Sequence, residues 1–138
     1  MFKQILLATD GSLIMERVII YVAHLAHTET ADITVVHAYQ PPEQYANYDG
    51  YTALRQQYHS VAQAVVDDMV QALRADGVRA HGEVHIGPAA DVIIGVAAAH
   101  NVDLIILGTR GSGNLAAMLG SVSTHVLRAA ACPVLVIP

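Results

Sequence analysis

Segments with the apolar character of buried β-strands alternate with amphipathic segments along this chain, and that alternation restricts its fold more than any other feature. Short apolar runs typical of strands occupy five segments, residues 3–9, 32–38, 78–86, 103–107 and 133–137. Apolar residues recur at helical spacing in four segments between them, residues 13–27, 51–75, 88–100 and 121–131. The sequence therefore predicts four strand–helix units followed by a closing strand.

Such alternation is typical of a parallel sheet that carries helices on both faces. We predict an α/β fold of the Rossmann-like type, a doubly wound five-stranded parallel sheet of order 3-2-1-4-5. A chain of 138 residues fits one domain, which we expect to span residues 1–138. In this topology the ligand crevice lies outside the carboxyl ends of strands 1 and 4, where the winding reverses.

Two distinctive loops converge on that crevice. The stretch ATDGS, residues 8–12, follows strand 1, and the stretch GTRGSG, residues 108–113, follows strand 4. Gly108, Gly111 and Gly113 shape the second loop, and Gly120 precedes Ser121 at the start of the last helix. Backbone N–H groups at a helix start attract anions, and Ser121 and Ser123 add hydroxyl donors. The alternative is that these glycines only form a tight turn and that Ser121 only caps its helix.

The charged residues near the crevice suggest that its two sides bind chemically different groups. No acidic residue follows Asp103; either this keeps the glycine-rich segment open to anions, or the short buried strand and helix simply lack room for charges. Arg110 is a candidate to neutralise a phosphate, or is a charge on a surface loop. Asp10 could accept ribose hydroxyls, hold a divalent cation, or form an Asx turn. Together these features suggest a mononucleotide, although the P-loop pattern is absent and the G-x-G-x-x-A at residues 111–116 follows the wrong strand for a dinucleotide site.

Composition excludes other classes of partner. The net charge is −5, and the single lysine and lack of any basic run disfavour nucleic acid. No apolar run approaches the ~20 residues of a membrane span. The amino-terminal apolar stretch is too short for a secretory signal, and the single cysteine, Cys132, agrees with a reducing compartment. We expect a cytoplasmic protein with neither membrane nor nucleic-acid partners.

The sequence resembles the universal stress protein family over its whole length. The resemblance rests on ILLATDGS at the start, TVVHAY on strand 2, VDLIILGTRG on strand 4 and GSVSTHVLRAAACPVLVIP at the end. It implies the fold predicted above, of the adenine nucleotide alpha hydrolase-like type, and a stress-response or signalling role. Many members of the family bind ATP or AMP through a motif of Gly, two residues, Gly, nine residues, Gly, and Ser or Thr.

The resemblance also implies a role for particular positions. The motif falls on Gly108, Gly111, Gly120 and Ser121. Val122 and Ser123 would continue the phosphate cradle, Asp10 would contact the ribose, Ala38 would meet the adenine through its backbone, and Thr9 would line the base pocket. We therefore expect ATP or AMP as ligand, with Mg²⁺ as a candidate companion ion of ATP.

One departure from the family pattern affects that expectation. Between Gly111 and Gly120 stand eight residues, SGNLAAML, where the family has nine. The deletion either shortens the loop harmlessly or moves the amides of Gly120 and Ser121 out of register with the phosphates. The family includes members without nucleotide binding, which usually lack the second and third motif glycines. This chain keeps both glycines, which favours binding over the alternative of a nucleotide-free protein–protein interaction module.

The sequence contains no set of residues typical of efficient catalysis, so slow ATP hydrolysis is the most that we expect. Among the eight histidines, His24 and His27 share a helix face and His81 and His85 share a strand face. Neither pair has an evident third ligand in the sequence, so we predict no metal site. Cys132 is interpreted as a small core residue.

Two further features bear on regulation. The loop from Tyr39 to Tyr51 contains four tyrosines and two prolines, and it is either a partial lid over the adenine pocket or an exposed connector. The terminal strand, Pro133 to Pro138, would lie at a sheet edge, where unpaired backbone groups favour association. The resemblance implies a homodimer through this strand.

Overall fold

The computed structural model describes residues 1–10, 15–108 and 120–138. Its strands are β1 (Gln4–Ala8), β2 (Asp32–Tyr39), β3 (Ala80–Ile86), β4 (Leu104–Gly108) and β5 (Val134–Ile137). Its α-helices are α1 (Met15–Glu29), α2 (Tyr51–Ala75), α3 (Ala89–Ala99) and α4 (Ser121–Ala129), and a short 3₁₀ turn covers Glu43–Tyr45.

The strands form one parallel sheet of order β3-β2-β1-β4-β5. The predicted fold class and strand order are thereby confirmed. β1 occupies the centre of the sheet, where Leu7 lies opposite Val35 of β2 and opposite Ile106 of β4. β3 and β5 are the edge strands.

Alternate residues of the central strands enter two hydrophobic layers, because successive side chains of a strand point to opposite faces. Ile5 and Leu7 of β1 pack with Val18 and Val22 of α1 and with α2 residues such as Val66. On the other face, Leu6 packs with the layer formed by α3 and α4. The sheet is therefore covered by a pair of helices on each side, and β1 is buried between them.

The C-terminal ends of two helices differ by two residues from the sequence prediction. α1 continues to Glu29, beyond the predicted end at residue 27, and the chain turns at Thr30, whose φ of 54° is left-handed. α4 ends at Ala129, before the predicted end at residue 131, because Ala130 already has an extended backbone that returns the chain to β5. Both differences arise at turns, which hydrophobic periodicity does not encode.

A glycine determines how closely α2 packs on β3. A Cβ placed on Gly82 would overlap Val66 Cγ1 of α2 and would lie 3.2 Å from Val70 Cγ2. Gly82 is therefore required for close approach of the helix, whereas Gly95 of α3 has open space around the same position, with nothing within 4 Å.

We expect opposite effects from adding a methyl group at these two glycines. Gly82→Ala should lower the free energy of unfolding by about 1–3 kcal/mol, because α2 must move away from the sheet. Gly95→Ala is the matched control and should raise it by up to about 1 kcal/mol, because alanine is the better helix former. Urea denaturation monitored by circular dichroism measures both, and a neutral Gly82→Ala would show that this packing is not tight.

Candidate functional site

A cleft opens at the carboxyl ends of β1 and β4, the place where topology predicts a ligand crevice. Residues from both strand ends and from the starts of α1, α3 and α4 line it: Ala8, Thr9, Asp10, Met15, Ala89, Ile93, Leu107, Gly108, Gly120, Ser121, Val122 and Ser123. The cleft thus collects polar groups from two separate regions of the chain, residues 8–10 and residues 120–123.

Backbone hydrogen bonds hold the β1 side of the cleft in place. The Thr9 N–H donates to the Val36 carbonyl at 3.0 Å, and the Thr9 carbonyl accepts a 2.7 Å hydrogen bond from His37 Nδ1. Thr9 itself is buried, and Asp10, which follows it, is exposed. The local fold therefore fixes the backbone of Thr9 and presents the Asp10 carboxylate at the solvent side.

The start of α4 forms the opposite side of the cleft. Gly120 is the N-cap residue, with an extended backbone (φ −73°, ψ 178°) and no side-chain capping hydrogen bond. The first amides of a helix have no acceptor within the helix, and they lie at the positive end of its dipole. Ser121 is exposed, and Ser123 is buried with 7% exposure. This arrangement can accept an anion from the cleft.

α3 also starts at this edge of the sheet. Its N-cap, Pro88, makes no side-chain capping hydrogen bond, and its residues Ala89 and Ile93 line the cleft. The cleft therefore combines two helix starts with an apolar wall. Asp10 is the single acidic residue among the described residues that line it, so negative charge is confined to one side.

The structure brings together seven of the residues that the sequence singled out: Thr9, Asp10, Gly108, Gly120, Ser121, Val122 and Ser123. Ala38 lies on β2, opposite His85 of β3, and is not among the described residues that line the cleft. Arg110, Gly111 and Gly113 lie outside the described residues. Five other lining residues were not predicted as site residues: Ala8, Met15, Ala89, Ile93 and Leu107. For Ala89 and Ile93, the Gly-Pro at residues 87–88 marks the helix start that places them here.

Comparison with known proteins identifies the family. The model of the universal stress protein family matches residues 1–138. The chain belongs to the universal stress protein family. A curated relative from Thermus aquaticus, a universal stress protein encoded in the QAH/OAS sulfhydrylase 3′ region, is 34% identical over 139 residues, which cover 99% of each chain.

Solved structures agree with the fold of this universal stress protein. The hypothetical protein MJ0577 superposes with a TM-score of 0.85 at 24% identity, covering 99% of this chain and 96% of its own. The universal stress protein from Archaeoglobus fulgidus in complex with dAMP superposes with a TM-score of 0.72 at 21% identity, covering 99% and 98%. In the described part of this universal stress protein, every helix is too short or too polar to cross a membrane.

A second group of polar side chains lies away from the cleft, on β3. His81 and His85 share a face of the strand, as the sequence suggested, and Glu83 lies on that face between them. His100, the C-cap residue of α3, contacts Glu83 Oε2. The structure thus supplies His81 with the neighbouring ligand groups that were not evident in the sequence.

Cys132 packs partly buried against the core layer of α3 and α4. Burial raises the pKa of its thiol, and the nearby Asp103 carboxylate raises it further. The thiol therefore stays protonated at neutral pH, which favours the interpretation of Cys132 as a core residue over that of a nucleophile.

Val126 helps to attach α4, which forms one side of the cleft, to the core layer. Val126 is fully buried, whereas the adjacent Leu127 is 42% exposed. Val126→Ala should therefore lower the free energy of unfolding by about 2 kcal/mol and increase amide exchange in α4. Leu127→Ala removes more side-chain carbon atoms than Val126→Ala does. It should nevertheless change the free energy of unfolding by less than about 0.5 kcal/mol, because Leu127 lies at the surface. Equal effects of the two substitutions in urea denaturation would contradict this account.

Proposed function

We propose that this universal stress protein binds an adenine nucleotide, ATP or AMP, in the cleft between residues 8–10 and the start of α4. One observation carries the proposal: Asp10 and the N-terminus of α4, a helix that has no side-chain cap, line the same cleft at the reversal of the sheet. A ribose offers hydroxyls to a carboxylate, and phosphates suit free helix amides. The dAMP complex of the Archaeoglobus fulgidus protein supports a nucleotide at this kind of fold.

Different residues would bind different parts of the nucleotide. Asp10 would accept hydrogen bonds from the ribose hydroxyls, and Thr9 would line the base pocket. Gly108 and the amides of Gly120, Ser121, Val122 and Ser123 would hold the phosphates, with Gly111, Gly113 and Arg110 contributing from the glycine-rich loop. Ala38, on the neighbouring strand, would meet the adenine. Mg²⁺ would accompany ATP as an ion carried by its phosphates.

The role that follows is binding without efficient turnover. Burial of the ligand against two helix starts would stabilise one conformation, and occupancy would then influence association with other proteins. We propose that the protein acts in this way as a cytoplasmic stress-response or signalling regulator. The Tyr39–Tyr51 loop, whose Tyr45 and Tyr48 are exposed, would partly cover the adenine pocket.

Two substitutions in opposite walls of the cleft test the assignment. Ser121→Asp places a carboxylate at the first residue of α4, where it favours the helix but repels phosphates. It should weaken Mg-ATP binding about 10-fold or more and leave adenosine binding almost unchanged. Asp10→Ala removes a charged acceptor and should weaken ATP and adenosine alike, by about 10-fold or more. Titration calorimetry measures each affinity, and Ser121→Ala is the uncharged control.

Two results would contradict the proposal. If Ser121→Asp weakened adenosine as much as ATP, the start of α4 would not be the phosphate side. If the unmodified protein carried no nucleotide on purification and ignored added ATP and AMP, the protein would instead be a nucleotide-free interaction module. Insertion of one glycine after Gly113, which restores the family's loop length, would then show whether the deletion is the cause.

We also propose that the protein forms a homodimer through the terminal strand, Pro133–Pro138. β5 is an edge strand with the apolar sequence VLVI, and an edge of this kind favours pairing with a second copy. Val136→Lys should convert the dimer into a monomer with an unchanged circular dichroism spectrum. Ile20→Lys is the control, because Ile20 is 70% exposed on α1 and its substitution should leave the mass unchanged. Light scattering that finds a monomer before mutation would overturn this proposal.

A further inference from the structure

The cluster on β3 brings metal-binding groups from two elements together. His81, Glu83 and His100 each offer one ligand atom, and these atoms all lie within 4.8 Å of one another. His81 and Glu83 are two residues apart on an edge strand and so share a face. His100 reaches the same place from the C-terminal end of α3.

The carboxylate of Glu83 is the centre of this arrangement. Its Oε1 accepts a 2.9 Å hydrogen bond from His85 Nε2. Its Oε2 contacts His100 Nε2 and lies 3.9 Å from His81 Nε2. His85 thus orients the carboxylate so that the other oxygen faces the two remaining imidazoles, as an outer hydrogen bond commonly orients a metal-binding carboxylate.

The charges around the cluster favour a cation. Glu83 is the acidic residue of the cluster. In the described part of the chain its ion-pair partners are all imidazoles, with no lysine or arginine among them. The negative end of the α3 dipole, at His100, adds to the attraction.

The geometry points to a Zn²⁺ site formed by His81, Glu83 and His100, with His85 as a positioning residue. Two imidazoles and one carboxylate are a donor set that suits zinc rather than Mg²⁺ or Ca²⁺, which prefer oxygen ligands. The fourth position would hold water, because a groove of about 270 Å³ between β3 and α3 opens beside Glu83 and His100. This site is separate from the proposed nucleotide cleft and does not depend on it.

Binding requires only small movements of the side chains. Ligand atoms around tetrahedral zinc lie about 3.3 Å apart, so the wider separations must shorten by up to about 1.5 Å and the contact between Glu83 and His100 must lengthen. The side chains of His81 and His100 are 51% and 37% exposed and can rotate. His81 Nε2 also lies 3.3 Å from the Thr34 hydroxyl, and zinc would replace that contact with a coordinate bond.

Zinc titration of nucleotide-free protein without a histidine tag tests the site. In competition with a chromophoric chelator, the unmodified protein should bind one equivalent of Zn²⁺ and should melt at a higher temperature with it. Glu83→Gln and His100→Gln should each lower the affinity about 100-fold or more. His85→Gln should lower it about 10-fold, as loss of an outer partner does.

The control variant replaces two histidines that lie outside the proposed zinc site. His24 and His125 are both exposed and outside the cluster, so the His24→Gln/His125→Gln variant should bind zinc like the unmodified protein. Circular dichroism establishes that each variant is folded, and bound Co²⁺ should show the intense visible bands of tetrahedral coordination. Absence of zinc binding, survival of the affinity in both Glu83→Gln and His100→Gln, or an equal loss in the control would each overturn the proposal.

Discussion

The structure depends on the pairing of β1 with a strand on each side. Ile5, Leu6 and Leu7 are all but completely buried, because the strand has neighbours at both edges and helices on both faces. β2 and β3 follow on one side, and β4 and β5 are placed on the other. The connections after β1 and β4 must therefore leave in opposite directions. Their separation opens the cleft, so the position of the candidate site follows from the strand order before any side chain contributes.

Much of this could be read from the sequence. Buried strands and amphipathic helices have different hydrophobic periods, so the elements and their order were predictable, and the alternation left few topologies. The loops at residues 8–12 and 108–113 could be assigned to one edge of the sheet for the same reason. The C-terminal ends of α1 and α4 could not be predicted in the same way, because the turns at Thr30 and Ala130 depend on local backbone geometry. The contribution of Ala89 and Ile93 was also missed, because small apolar residues carry no chemical signature of a site.

The cluster on β3 shows a different limit. Alternation along the strand placed His81 and His85 on one face, and the same rule places Glu83 between them. His100, however, is 17 positions beyond Glu83 in the chain, and its approach depends on how α3 lies against the edge of the sheet. That packing is set by apolar contacts of α3 such as Ile93 and Val96 with the core. Hydrophobic periodicity predicts that α3 exists and which of its faces is apolar. It does not predict that the end of the helix places His100 beside Glu83.

α3 connects these observations, because the two ends of one helix favour ligands of opposite charge. In a parallel sheet, each connecting helix runs back against the strands, so its N-terminus lies at the carboxyl edge and its C-terminus at the amino edge. The start of α3, together with that of α4, lines a cleft with little negative charge, where amide dipoles favour phosphate. The end of α3 places His100 beside the carboxylate of Glu83, where carbonyl dipoles favour a cation. A single direction of the helix dipole thus favours both the proposed nucleotide site at one edge of the sheet and the proposed zinc site toward the other.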